Sequence, residues 1–581
     1  MKNVVFIVVD SFLYSKIGNT NYGPSPTPFL DTLIPKSVFV ENLYSQGPYT
    51  EAGNRALLTG ADSLTHGGYM HNLNEARDIY LDVFKKNGYH NIEFFLPYYL
   101  YSKQHFKSID KQLFTSDFVF NSVWSNRLKH FSDVQKTETL TEDDYRDIIE
   151  QLRLTFESWL NFLDYTDKSK YKYIERIVEN YDFEESRQVL EREQVRFNTS
   201  PMEYADEVLE EGPKHKLFTI PLCKYDKFID EKFIGEIVYK KQSGLIRSII
   251  LKQFILNLKN QEFSIKEIIS SLFQKDNRYL KSLAFSLGSG MLAKQYRTNT
   301  FCQLLPSCRK LLRGVVEEFE SYTGSNPVMI HVHPEELHNT TSFLTYDIND
   351  EVLLNRELSL CKKYVNGISS DYKGEIVYDL ALLYVDDCIK ELYESLEAKG
   401  LLNNTVLVIT SDHGFSYDCV PLRRAFVNNH HTENYHIPAI FYDGGLHRES
   451  FSEYHTSKDV LPTIYGLCGI TVPRTINGKS IFISDETNKY AISEYLGGGC
   501  PDMRRRPIHY MIRDDNWLVV YYVKLMESFK SGEVVELYDL RKDKDEMHNL
   551  KGRIDRNNYS YLLEKLEKHH IFLQSNQSYN N

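Results

Sequence analysis

The apolar and polar positions of this chain fall into two textures. Residues Val4 to Val9 form a short unbroken apolar run that ends at Asp10, the pattern of a strand buried on both faces. A loop rich in Gly and Pro follows, Asn19 to Pro28, and a helix is expected to open at Thr27-Pro28 with Phe29, Leu30 and Leu33 on one face. Pro28 suits a first helical turn, where its missing N–H has no partner to lose. Strand-like runs recur at Ser37–Val40 and Ile92–Phe95. From roughly Asn121 to Gly324 long charged segments of helical period take over, such as Glu142–Leu163 and Tyr171–Arg192, with a more apolar pattern at Ser248–Leu258. Strand texture resumes at Val328–Val332. An amphipathic helix is predicted over Glu375–Lys399, with Leu380, Leu383, Tyr384 and Ile389 near one face and Gly400 as its stop. The run Thr405–Thr410 closes on Ser411-Asp412-His413-Gly414, and Ala439–Tyr442 follows. Trp517–Val523 and Val534–Leu537 suggest a small antiparallel sheet near the end.

Alternating β and α elements imply an α/β fold: a mostly parallel sheet covered by helices on both faces. The expected organisation is a core from residues 1–120 and 325–490, a mostly helical insertion over 121–324, and a C-terminal α+β subdomain over 491–581. No internal repeat interrupts it.

Composition narrows the class. A hydrophobic content of 42% is enough for a sizeable core, and a net charge of −12 argues against nucleic acid as the main partner. The eight cysteines show no CxxC pair and no regular spacing, so buried thiols are expected rather than a disulfide framework or a zinc knuckle. The opening apolar run is too short to cross a bilayer and lacks a small-residue cleavage site, and no stretch of about 18 apolar residues occurs. A cytoplasmic chain with no transmembrane segment is the expectation.

The candidate chemistry lies where strands end. Asp10 closes the first strand, Asp412 and His413 close Val406–Thr410, and Thr50 stands just before a helix running through Ala56-Leu57-Leu58. Ligands of open parallel sheets bind beyond the carboxyl ends of the strands, so these groups are candidates to converge. Two carboxylates and an imidazole can hold a divalent cation. A hydroxyl beside that cation loses its proton more readily and becomes a nucleophile. A helix N-terminus at Thr50 adds N–H groups for an incoming anion. Each feature alone has a plainer reading, as a turn residue, a loop or a helix N-cap.

Several separated segments, in order, resemble the sulfatase branch of the alkaline phosphatase superfamily. VVFIVVDSF resembles the first strand with its metal-binding Asp; PTPFLDTL and FVENLYSQGPYT resemble the approach to the nucleophile; TEAGNRALLTG resembles the nucleophile motif; LLNNTVLVITSDHG resembles the second metal-binding strand; DVLPTIYGLCGITVP with NGKSIF, and ELYDLRKDKDEMHNL, resemble the closing segments. The resemblance implies an alkaline phosphatase-like three-layer sandwich and a metal-dependent enzyme. It puts Thr50 in the nucleophile position, with Asp10, Thr50, Asp412 and His413 as metal ligands. In MIHVHPEELHN it points to His338 as the catalytic histidine, with His333 as runner-up in substrate binding. In AFVNNHHTENYHIP it points to His431 as catalytic, then to His430 and His436 as substrate-binding. Arg55, one place later than the family's arginine, joins the substrate-binding set.

The departures shape the expected activity. Ser11 stands where the family has a second aspartate, and Ala52 and Asn54 replace its Pro and Arg. Threonine cannot become formylglycine. The expectation is therefore hydrolysis or transfer at a phosphoester (phosphodiester, phosphonate or phospho-head-group) through a covalent Thr50 intermediate. A small-molecule, glycan or lipid-precursor substrate would fit tailoring of surface polysaccharide or lipid precursors. The alternatives are a sulfuric ester hydrolase and, from another class, a non-catalytic glycan-binding or scaffold protein on the same fold. With Ser11 in place of an acid the site is less anionic, which favours zinc or manganese over calcium or magnesium.

Overall fold

The structure is a computed structural model. It describes residues 1–18, 23–66, 79–96, 108–115, 124, 128–165, 183–221, 307–338, 350–372, 374–415, 430–444, 449–483, 489–495 and 507–577, with scattered helical residues between 244 and 259. Its centre is an eight-stranded sheet. In chain order the strands are β1 (Asn3–Val8), β2 (Val38–Tyr44), β3 (His90–Leu96), β4 (Lys111–Thr115), β5 (Val328–Val332), β6 (Thr405–Thr410), β7 (His436–Tyr442) and β8 (Glu449–Thr456). In space they run β4-β3-β5-β1-β6-β7-β2-β8. Only β7 runs against its neighbours, pairing antiparallel with β6 and β2.

The alternation of β1 shows why this is a three-layer sandwich. Side chains alternate across a strand, and Val5, Ile7 and Val9 join one apolar cluster while Val4, Phe6 and Val8 join another. The first cluster is covered by α8 (Cys308–Ser321) and α10 (Ile376–Ala398) and by helices of the predicted insertion: α4 (Lys129–Gln135), α5 (Glu142–Tyr165), α6 (Phe183–Thr199) and α7 (Pro201–Glu211). The second is covered by α2 (Thr50–Thr59), α3 (Tyr80–Lys86) and α11 (Val460–Cys468). Short α1 (Leu30–Leu33) and longer α9 (Glu351–Gly367) complete the helices up to α11.

The insertion does not stand apart. Ile148, Leu152, Phe156 and Leu190 share the cluster that holds Val5 and Ile7. Helix α8 lies inside the expected insertion range yet packs on the core sheet: a Cβ at Gly314 would come within 2.7 Å of Phe94. The core's helical layer therefore begins before residue 325. Of the predicted segment Tyr171–Arg192, residues 171–182 lie outside the described residues, and α6 carries the rest. Ser248–Leu258 is described only in scattered helical pieces.

The C-terminal part is a four-stranded antiparallel sheet, β12-β11-β10-β9, built from β9 (Ala491–Tyr495), β10 (Pro507–Arg513), β11 (Trp517–Lys524) and β12 (Glu533–Asp539). Helix α12 (Ser560–Gln577) covers one face through Leu562, Leu563 and Leu566, in a cluster that also takes in Ala52 and Leu64. The subdomain is thereby packed against α2. The cysteines Cys308, Cys361, Cys388 and Cys468 are buried and none of them is in a disulfide. Among the described residues no helix is long and apolar enough to cross a membrane.

Candidate active site

Strand register brings the site together. Val8 of β1 lies opposite Thr410 of β6, so Asp10 and Asp412, each two residues further on, emerge side by side. Ile7 lies opposite Val332 of β5, which delivers His333 to the same edge. All are buried. Oxygens of Asp10 and Asp412 and a ring nitrogen of His333 lie within 4.8 Å of one another.

Helix α2 closes the site from above. Tyr49, with φ −155°, is its N-cap, and Thr50 is the first helical residue. This corrects the reading of Thr50 as a cap: its hydroxyl is not turned back onto the helix. Oγ1 instead lies 3.4 Å from Asp10 Oδ2 and 3.3 Å from His413 Nε2. The helix can sit this close because Gly53 has no side chain; a Cβ there would fall 2.1 Å from the Asp412 carbonyl oxygen. The N–H groups of Ala52 and Gly53 both donate to the Tyr49 carbonyl, at 3.1 and 2.9 Å, which closes the first turn of the helix beside Asp10.

The supporting contacts fix each group. The backbone N–H of Ser11 donates to Asp412 Oδ1 at 3.2 Å, and its hydroxyl donates to Asp10 Oδ1 at 2.7 Å. Ser11 has φ 63°, a left-handed conformation that costs a non-glycine residue energy. It is held there by the Tyr378 hydroxyl, which donates to the Ser11 carbonyl at 2.7 Å. Asn54 donates to Asp412 Oδ2 at 3.2 Å. His413 Nδ1 lies 2.5 Å from the Gly414 carbonyl. A carbonyl only accepts, so Nδ1 carries a proton, which turns Nε2 toward Asp10, 3.5 Å from Oδ1.

The electrostatics ask for a cation. Burial and the charge of Asp10 push the Asp412 carboxyl up to about 7. Burial would also raise Asp10, but the imidazoles of His333, His338 and His413 outweigh it and hold that carboxyl well below the usual range. Burial and the carboxylates of Asp10, Glu336 and Asp412 push Glu335 upward. Neither ring nitrogen of buried His333 has a hydrogen bond; the nearest approach is Nε2 to Asp10 Oδ2 at 3.6 Å. Repelling carboxylates, an unsatisfied buried imidazole and a second imidazole nitrogen aimed inward form a donor set that fits a divalent cation.

The other candidates spread out. His338 is exposed on the loop after β5, near enough for its charge to act on Asp10. Arg55 is fully buried in α2. His431 is tied through Nδ1 to Glu546 at 3.0 Å. His430 is buried between Tyr435 and His509, and burial pushes it down to about 3. His436 differs from the expectation of substrate binding: its ring stacks between Tyr14 and Tyr44 and its Nε2 donates to the Glu41 carbonyl at 2.7 Å. It sits on the first residue of β7, and its ring closes the gap between two aromatic neighbours. Asn54 and Ser11 hold the Asp412 and Asp10 carboxylates although their types looked like losses from the motif.

The Sulfatase family model matches residues 2–209 and 287–470, more than half of the chain, and the model for the C-terminal part of N-sulphoglucosamine sulphohydrolase matches residues 431–575. The chain belongs to the sulfatase family. The multifunctional alkaline phosphatase superfamily protein PehA of Trinickia caryophylli is 26% identical over 200 residues, covering 29% of this chain and 34% of that protein. Arylsulfatase K of Xenopus laevis is 24% identical over 213 residues, covering 33% of this chain and 37% of that protein. The match thus spans about a third of each of these relatives. A solved structure, the phosphonate monoester hydrolase of Agrobacterium radiobacter, aligns over 99% of this chain and 96% of its own, with TM-score 0.47 and 13% identity. Within this sulfatase-family fold, the Asp10–Asp412 pair marks the end of the two central strands.

Proposed function

We propose that this chain is a metal-dependent hydrolase or transferase that acts on a phosphoester through a covalent Thr50 intermediate. The observation that carries the reading is Thr50 Oγ1 at the start of α2, poised between Asp10 and His413. Asp10, Asp412, His413 and Thr50 would hold a divalent cation, zinc or manganese by donor type, with His333 adjoining. When bound, the cation lowers the pKa of the hydroxyl and neutralises the substrate anion. Oγ1 then gives its proton to solvent and bonds to phosphorus as the bond from phosphorus to the ester oxygen breaks, and that oxygen takes up a proton from His338. Water or an acceptor hydroxyl attacks phosphorus next and gives its proton to His338; the P–Oγ1 bond breaks and the threonine oxygen regains a proton from solvent. The helix N-terminus stabilises charge on the transferred group throughout.

A second reading, sulfate ester hydrolysis, is favoured by the arylsulfatase among the relatives. Threonine carries a single hydroxyl on its β-carbon, so it cannot eject sulfate by collapsing to an aldehyde as a hydrate would. A threonyl sulfate would have to be cleared by water. A panel of aryl phosphate monoesters, phosphodiesters, phosphonates and sulfates, run on wild type and Thr50→Ala with each metal, decides. Turnover of phosphorus esters well above sulfates, lost in Thr50→Ala, is expected. Fast turnover of sulfates alone would establish the second reading, and protein that never retains metal would end both.

A further inference from the structure

A second cavity lies beyond the far end of α2. That helix has ten residues, so its ends are about 15 Å apart, and Asp62, past the end remote from Thr50, lines the cavity. Its volume is about 410 Å³, within the range of small-molecule pockets. None of Asp10, Thr50, His333, Asp412 or His413 lines it.

Its charge is unbalanced. Lys458, Lys479, Lys565 and Lys568 line the wall against two carboxylates, Asp62 and Asp459. Both acids are already used. Asp62 binds Lys458 at 2.6 Å and the Asn477 amide at 2.7 Å. Asp459 accepts the backbone N–H groups of Thr456 at 2.9 Å and Lys479 at 2.8 Å. Glu494, beneath the floor, is held by His569. Lys565 and Lys568, three residues apart on α12, share one face with Phe572. Among the described residues no carboxylate comes within 4.0 Å of either lysine; Lys565 instead lies 5.6 Å from the centre of the Tyr490 ring. Tyr490 and Phe572 line the same cavity. Cations without carboxylates beside aromatic faces match an anion carried on a ring.

We propose that this cavity is a second, non-catalytic binding site for a phosphate or sulfate group borne on a ring-sized body, held by Lys565 and Lys568 and packed on Tyr490 and Phe572. Pyridoxal 5′-phosphate is a direct probe. Its aldehyde condenses with a lysine amine, expelling water, and borohydride then delivers hydride to the imine carbon and fixes the label. Peptide mapping should find Lys565 or Lys568 labelled at least tenfold faster than exposed Lys542 or Lys551. Phenyl phosphate and phenyl sulfate should suppress that label at concentrations at least tenfold below those needed with inorganic phosphate or sulfate. The pattern should persist in Thr50→Ala, which separates this site from the catalytic one. In Lys565→Gln/Lys568→Gln the fast label should vanish while melting temperature is kept. Even labelling of all exposed lysines, or no protection by any of the four anions, would overturn the proposal. Equal protection by inorganic and ring-borne anions would overturn its aromatic half. Loss of the fast label in Thr50→Ala would assign it to the catalytic site instead.

Discussion

Two clusters in this molecule contain the same parts, two buried acids or an acid pair with an imidazole, and they behave as opposites. At Asp62, Glu494 and His569 the groups are paired off: Lys458 and Asn477 on Asp62, His569 and the Leu64 N–H on Glu494. At Asp10, Asp412 and His333 the acids repel one another and neither ring nitrogen of His333 makes a hydrogen bond. The difference teaches that ligand type and proximity do not define a metal site. A satisfied cluster stabilises the fold by itself, whereas an unsatisfied one is stable in the fold only because the rest of the structure holds it, and a cation would complete it.

The largest expected effect tests the unsatisfied cluster at its proposed nucleophile. Thr50→Ala should lose turnover by at least about three orders of magnitude, because the covalent route needs Oγ1. Since Thr50 lies inside α2, after the N-cap position held by Tyr49, stability should change by less than a cap deletion, roughly 0.5–2 kcal/mol. Thr50→Ser keeps the hydroxyl and should retain measurable activity. Near-normal turnover by folded, metal-loaded Thr50→Ala would remove the nucleophile assignment.

Next in size is Gly53→Ala, which removes no candidate ligand side chain but presses on the backbone of Asp412. Its Cβ would meet a backbone oxygen at 2.1 Å, so α2 must retreat from β6. Displacement of about 1 Å at a reacting group can cost about a hundredfold in rate, while overpacking costs about 1–3 kcal/mol. Steady-state kinetics and chemical denaturation on the same preparation check both parts; unchanged kinetics would mean that Thr50 is not held in place by this contact.

A crossed pair of substitutions then breaks the symmetry of the two clusters. Asp412→Asn should abolish metal retention and activity, yet leave the metal-free protein as stable or about 1 kcal/mol more stable, because a carboxylate disfavoured by burial and by Asp10 is gone. Asp62→Asn should do the reverse: activity per folded molecule is kept, and stability falls by about 3 kcal/mol as Lys458 loses its buried partner. Urea unfolding of metal-free protein, with metal analysis of the loaded form, gives all four values. Equal destabilisation by both would erase the distinction drawn between the clusters.

Much of this was readable in the sequence, for a physical reason. Strands buried on both faces, β1, β5 and β6, read as continuous apolar runs, and residues that end them must emerge at one sheet edge. The polar edge strand β8, ESFSEYHT, gave no such signal, since only its last three residues are buried. Nor did β4, the other edge. The register of Ile7 with Val332, which delivers His333 to the sheet edge, is not encoded locally in the sequence, so the placement of His333 beside Asp10 was not legible there. Asn54 and Ser11 looked like departures from a motif because their work is to donate hydrogen bonds to Asp412 and Asp10, and that depends on geometry. His436 was drawn toward the site by its neighbours in the chain, whereas two tyrosine rings decide where it packs.

The smallest effect comes from a third buried acid and sharpens what burial alone does. Asp386 on α10 is pushed up to about 7, first by burial, although it accepts the backbone N–H groups of Phe29 at 2.8 Å and Leu30 at 2.9 Å at the start of α1. It has the same elevation as Asp412 but no imidazole and no candidate cation beside it. Its folded pKa lies above its unfolded value of 3.8, so the folded state binds the proton more tightly. The stability it contributes is complete below about pH 4 and is lost as pH rises through about 7. At about 1.4 kcal/mol per unit the ceiling is about 4 kcal/mol, and competing N–H donors make about 1–2 kcal/mol the working expectation. Wild type should therefore lose stability relative to Asp386→Asn between pH 4 and 8, with the slope unaltered by added zinc or manganese. A flat difference would show that the two N–H donors already offset burial at Asp386, and burial could then no longer be taken as the main cause at Asp412 either.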